Sequence, residues 1–128
     1  MPTDIAGVVR IQLRIGEDIV TATLNDTPPA RELAAMLPMT IRMHELLNQE
    51  KAGELPRDIT VDGAQRESTY EVSGIGYWAP GNDIAIIYAG GGRPIPQPGL
   101  VRLGTVDTGL DVIASAGDDF EMTIERHD

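Results

Sequence analysis

Gly74–Gly109 reads GIGYWAPGNDIAIIYAGGGRPIPQPGLVRLGTVDTG and holds three of the five aromatic residues of the chain, Tyr77, Trp78 and Tyr88. Ile84 to Tyr88 is a short, nearly continuous apolar run, the pattern of a strand covered on both faces. Leu100 to Val106 reads as a further strand. Between them, Gly90 to Gly99 joins the freedom of glycine to the stiffness of Pro94, Pro96 and Pro98, which predicts a mobile loop beside a pocket. Tyr77 and Trp78 stand just before Pro80-Gly81. Successive strand residues point to opposite faces, so one ring is expected in the core and the other outside.

Upstream, Val9, Ile11, Leu13 and Ile15 alternate with Arg10, Gln12 and Arg14, as in a half-buried strand from Val8 to Ile15. Gly16-Glu17 suits a tight turn, and Ile19 to Leu24 returns as the second strand of a hairpin. Thr27 is a good N-cap and Pro28 fits the first helical position, where its missing N–H costs nothing. Ala30, Leu33, Ala34 and Leu37 then recur at helical spacing until Pro38. Thr40 to Leu46 is expected as a third strand, Gly53 to Ile59 as short and irregular around Pro56, and Asp62 to Glu71 as a polar surface loop. Asp107 or Thr108 is expected to cap a short helix through Leu110, Ile113 and Ala114, stopped by Gly117. Phe120, Met122 and Ile124 mark a last strand. Many short strands and two short helices within residues 1–128, read as one domain, predict a mainly β fold. Closure into a β-barrel removes free edges, and the helices would plug its ends.

The composition narrows the possible functions. The chain has no Cys, so disulfides, thiolate chemistry and Cys-ligated zinc are excluded. Its formal charge of −10, with Lys51 as the only lysine, opposes a nucleic-acid partner or an anionic membrane surface. The opening MPTDIAGVVRIQLRIG lacks a basic leader segment, and Arg10 breaks its apolar run, so a soluble, cytoplasmic protein is expected. His44 and His127 are the only histidines, so a metal site would need carboxylates brought from elsewhere, and none is expected. Gly90-Gly91-Gly92-Arg93 is followed by prolines instead of a helix N-terminus, so it does not read as a phosphate cradle. No cofactor is expected.

The phrases TATLNDTPPARELAAMLPMTI, GYWAP with DIAIIY, and GLVRLGTVDTGLD, in that order, resemble the small bacterial cyclophilin-like family, whose members are mostly of unassigned function. The resemblance spans about Val8 to Glu125 and implies a cyclophilin-like barrel with a helix at each end. True cyclophilins are prolyl isomerases in which an Arg polarises the prolyl nitrogen, weakening amide resonance and lowering a barrier of roughly 20 kcal/mol. Here the corresponding strand reads Thr40-Ile41-Arg42-Met43-His44-Glu45. Arg42 is admissible, but the Phe-His-Arg order is absent.

These readings favour a binding module over an enzyme, for a small molecule or an extended peptide segment, and leave the enzyme question open. Its groove is expected to involve Arg42, Tyr77, Trp78, Tyr88 and Arg93 with the Gly90–Gly99 loop. The first alternative is a small-molecule enzyme performing isomerisation or cyclisation by carboxylate or Tyr acid–base chemistry, with Asp83, Asp107 or Glu50 as the base. The second is a weak peptidyl-prolyl isomerase centred on Arg42.

Overall fold

The computed structural model describes residues 7–127; the first six residues of the segment read for a leader lie outside them. The alternating stretch at the start forms β1 (Val9–Ile15) and β2 (Asp18–Leu24), paired antiparallel across Gly16-Glu17 with Leu13 opposite Val20. Helix α1 (Pro28–Ala35) follows, capped by Thr27, whose hydroxyl accepts from the Ala30 N–H. After it come β3 (Met39–Leu46), β4 (Glu50–Glu54), β5 (Gly74–Trp78), β6 (Asp83–Ile87), β7 (Val101–Thr108), α2 (Leu110–Ala114) and β8 (Asp119–Arg126). The eight strands close in the order β1-β2-β7-β5-β6-β4-β3-β8. This is the closed barrel expected from the strand pattern, and no strand of it has a free edge.

One set of alternating side chains fills the interior, with Ile11, Leu24, Met43, Ile75, Leu103 and Met122 fully buried. Helix α1 follows the end of β2, whereas α2 follows the end of β7. Because β2 and β7 run antiparallel, the helices lie at opposite ends, and Leu33 and Ile113 enter the core from each. No helix among the described residues is long and apolar enough to cross a membrane.

Three local expectations need correction. First, Gly53 does not open an irregular stretch: Glu50–Glu54 (EKAGE) is a full barrel strand, pairing Ala52 with His44 of β3 and with Ala85 of β6. Backbone pairing on both sides holds it there despite its charged sequence. Second, neither Asp107 nor Thr108 caps α2. The N-cap is Gly109, at φ 89°, because both side chains are engaged with β2: Thr23 donates to Asp107 at 2.6 Å, and Thr21 and Thr108 share a hydrogen bond of 2.6 Å. Third, the segment read as a polar surface loop buries Tyr70, which is 8% exposed.

Around Tyr70, residues 67–70 zip antiparallel onto 92–100. Tyr70 N–H donates to the Arg93 carbonyl (2.8 Å), Gly92 N–H to Tyr70 (2.8 Å), and Ile95 N–H to Ser68 (2.8 Å). Arg102 of β7 anchors this layer, donating to Glu67 (3.1 Å) and Glu71 (2.8 Å). The loop expected to be mobile is therefore tied along its length. It lies over the outer face of β4 and β6, where Ala52, Tyr70, Ala85, Ile87, Ile95 and Leu100 form a second apolar cluster outside the barrel. That layer explains why the DIAII run is buried on both faces.

Candidate functional site

The loop layer does not seal the wall completely. A cavity of about 150 Å³ remains between them. Its floor is set by register: Ala52 of β4 sits opposite Ala85 of β6, which sits opposite Gly76 of β5. Small residues on three adjacent strands lower the outer surface there. Trp78 and Asp83, directly opposite one another, stand at one end. Glu50, Tyr70, Leu46 and Leu47 stand at the other, and Ile95, Pro96 and Leu100 come from the overlying loop.

Two carboxyl groups reach this apolar space. Glu50 is only 7% exposed. Burial pushes its pKa up, as do the nearby Glu45 and Asp83 charges, while hydrogen bonds with Gln49 and Tyr70 oppose the rise. Asp83 is also shifted upward, first by burial and then by Glu54, with His44 opposing. The Tyr70 hydroxyl is raised by burial and by the Glu50 carboxylate beside it. Among the described residues, no Lys, Arg or His lines the cavity.

The mouth carries an unusual backbone. The β3–β4 connection places Leu47 at φ 58° and Asn48 at φ 55°, and Gln49 N–H donates to the Leu46 carbonyl at 3.1 Å. A turn of this hand needs positive φ at both central positions. Asn accepts that conformation, whereas Leu adopts it at a steric cost. Leu47 is nonetheless 70% exposed, beside the cavity.

Of the residues singled out from sequence, Trp78 and Asp83 reach the cavity, as does Glu50. Tyr77 does not. It points into the barrel at 1% exposure, donating to Asn82 Oδ1 (2.6 Å) and accepting from the Ile59 N–H (3.2 Å). The expected division of the two rings, one inward and one outward, is what the structure shows.

Tyr88 lies at the α2 end of the barrel and donates to Glu45 (2.6 Å). That bond, followed by burial, pushes its pKa up to about 12. Arg42 lies on the outer face of β3, about half exposed and paired with Asp119 at 3.3 Å, and does not line the cavity. Arg93 lines an adjoining depression that shares Leu47, Tyr70 and Pro96 with it, and donates to Gln49 at 3.3 Å. Asp107 sits away on β7 beside β2. Sequence reasoning missed Tyr70, whose signal was a lone aromatic in a polar stretch, and Leu46-Leu47, a pair of leucines beside a turn.

The fold and this groove define a closed antiparallel barrel with its candidate site on the outer wall. The model of the cyclophilin-like family matches residues 13–125, and the chain belongs to that family. The solution structure of a hypothetical protein from Archaeoglobus fulgidus is similar over 98% of this chain and 100% of that one, with a TM-score of 0.70 and 14% sequence identity. At that identity the likeness concerns the fold alone. No curated protein matches the sequence.

Proposed function

We propose that the outer-wall groove binds a small molecule by taking up one apolar group. The supporting observation is the cavity itself, about 150 Å³ over Ala52 and Ala85 with Trp78 at one end. An apolar void of about this volume accepts a benzene-sized group. A small molecule is favoured over an extended peptide because a closed barrel offers no strand edge for main-chain pairing. The test is a titration with benzyl alcohol followed by amide and indole NMR shifts. Shifts should concentrate at Ala52, Trp78 and Ala85, vanish in Ala85→Leu, and persist in Arg42→Ala and Asp107→Asn. Shifts that are absent, or that survive the filling of the cavity by Ala85→Leu, refute the reading.

A second reading rests on the upward shifts of Glu50 and Asp83, which bring two carboxyls toward the range of general acids and bases beside an apolar pocket. Under it the groove performs proton transfer, with Glu50 or Asp83 as the base and Tyr70 as a hydrogen-bonding partner. Arg42, tied to Asp119 outside the groove, lends no support to prolyl isomerisation.

A further inference from the structure

The charge around the cavity narrows the class of molecule it would accept. Glu50 and Asp83 both line it, no basic side chain does, and Lys51, the only lysine of the chain, is turned to the other face of β4. On that inner face its ammonium is held by Glu45 at 2.9 Å and by the Gly117 carbonyl at 2.6 Å. On the loop side, Arg93 lines an adjoining depression and donates to Gln49. Trp78 adds a ring face, which attracts cations, at the Asp83 end. Two carboxylates in a low-dielectric cleft, opposed only by the half-exposed His44 beside Asp83, concentrate a negative potential there.

We infer that the groove selects an ammonium ligand: a benzene-sized or branched aliphatic group seated over Ala52 and Ala85, bearing a protonated amine that donates to Asp83 at the Trp78 end, with Glu50 adding to the negative potential from the other end. This rests on the binding reading above. The apolar part lies against Ile95, Pro96 and Leu100, and Leu47 at the mouth covers it. The strained, exposed position of that leucine acquires a use on those terms. An amine relieves the mutual repulsion of Glu50 and Asp83, whereas a carboxylate adds to it. Discrimination against anions therefore follows from the same geometry that favours cations.

The test compares three probes of one shape at neutral pH: benzylamine, benzyl alcohol and benzoate. NMR titration at Trp78 and Ala85 should show benzylamine binding about tenfold or more tightly than benzyl alcohol, as expected for a hydrogen bond to a charged group. Benzoate should cause no shift. In Glu50→Gln/Asp83→Asn the preference for benzylamine over benzyl alcohol should be lost. Should that variant fold poorly, salt titration of the parent protein serves instead, since benzylamine affinity should fall with ionic strength and benzyl alcohol affinity should not. Benzoate binding as well as benzylamine, or a preference indifferent to both the substitutions and salt, overturns the ammonium assignment while leaving the site in place. Failure of both benzyl alcohol and benzylamine to shift Trp78 overturns the site and the assignment together.

Discussion

Lys51 is 2% exposed inside a barrel whose other fully buried large side chains, Tyr77 apart, are aliphatic or Met. Its ammonium meets Glu45 Oε1 at 2.9 Å and the Gly117 carbonyl at 2.6 Å, and lies 5.4 Å from the Tyr88 ring centroid and 5.8 Å from that of Phe120. Lys51→Met keeps the apolar stem and removes the charge. Glu45, whose side chain is 17% exposed, is then left with the Tyr88 hydroxyl as its remaining side-chain donor, and the Gly117 carbonyl loses a partner. Breaking a buried pair from one side costs about 3–5 kcal/mol, and the partial exposure of Glu45 places the loss near about 3. For a domain of this size that corresponds to roughly 12 °C in Tm, at roughly 4 °C per kcal/mol. Adding Glu45→Gln removes the stranded charge while keeping an acceptor for Tyr88. The double variant should therefore recover to within about 1 kcal/mol of the parent, the residue being the unpaired Gly117 carbonyl. Urea unfolding followed by circular dichroism measures all the corners of the cycle. Losses that simply add, or a single variant within about 0.5 kcal/mol of the parent, refute this account of the barrel end.

Tyr77→Phe should destabilise by about 1–2 kcal/mol, since it strands the buried Ile59 N–H and the Asn82 side chain, and it should leave benzyl alcohol binding untouched; a change in affinity would return Tyr77 to the groove. The carboxyls should divide by sign in a stability-against-pH profile. Glu50 and Asp83, with raised folded pKa values, favour the fold below the ordinary carboxylate range and lose that contribution as pH rises through their shifted values. Burial opposes ionisation of Glu45 too, but hydrogen bonds from Tyr88 and Lys51 outweigh it, so its contribution is present at neutral pH and is lost in acid. Glu50→Gln should accordingly raise Tm at neutral pH and not in acid, and a gain equal at both would contradict the assignment.

The β1–β2 hairpin, the capped helix and the closing strand were legible because their signals are local: alternation, a Thr-Pro start, a Phe-Met-Ile stripe. Strand β4 was not, because EKAGE carries no apolar alternation and only tertiary partners bury Glu50 and Lys51. The groove was half legible. The alternation of Tyr77 and Trp78 placed one ring outward, without saying which. The floor of the groove could not be assigned, because Ala52, Gly76 and Ala85 come from three strands and meet only through register. Arg42 and Asp107 have chemistry suited to a site and stand elsewhere, which composition and spacing do not reveal. Tyr88 and Arg93 flank the groove region, one engaged with Glu45 and the other with Gln49, so proximity in sequence to Trp78 overstated their access.

The alternation of β4 links the barrel interior to the groove outside it. Glu50 and Lys51 are neighbours in sequence and opposite in charge, yet strand geometry sends them to opposite faces, so they cannot neutralise one another. Glu45, directly across β3 from Lys51, takes up the ammonium. Glu50 is left outside with Asp83, Gln49 and Tyr70. The negative character of the cavity is thus set by the pairing register of β3 and β4: the only lysine is committed inward, and the acid beside it has no cation of its own. A shift of one residue in that register would exchange the faces, placing Lys51 at the cavity and Glu50 in the core. The inward charge pair and the outward carboxyl of Glu50 are therefore two results of one alignment.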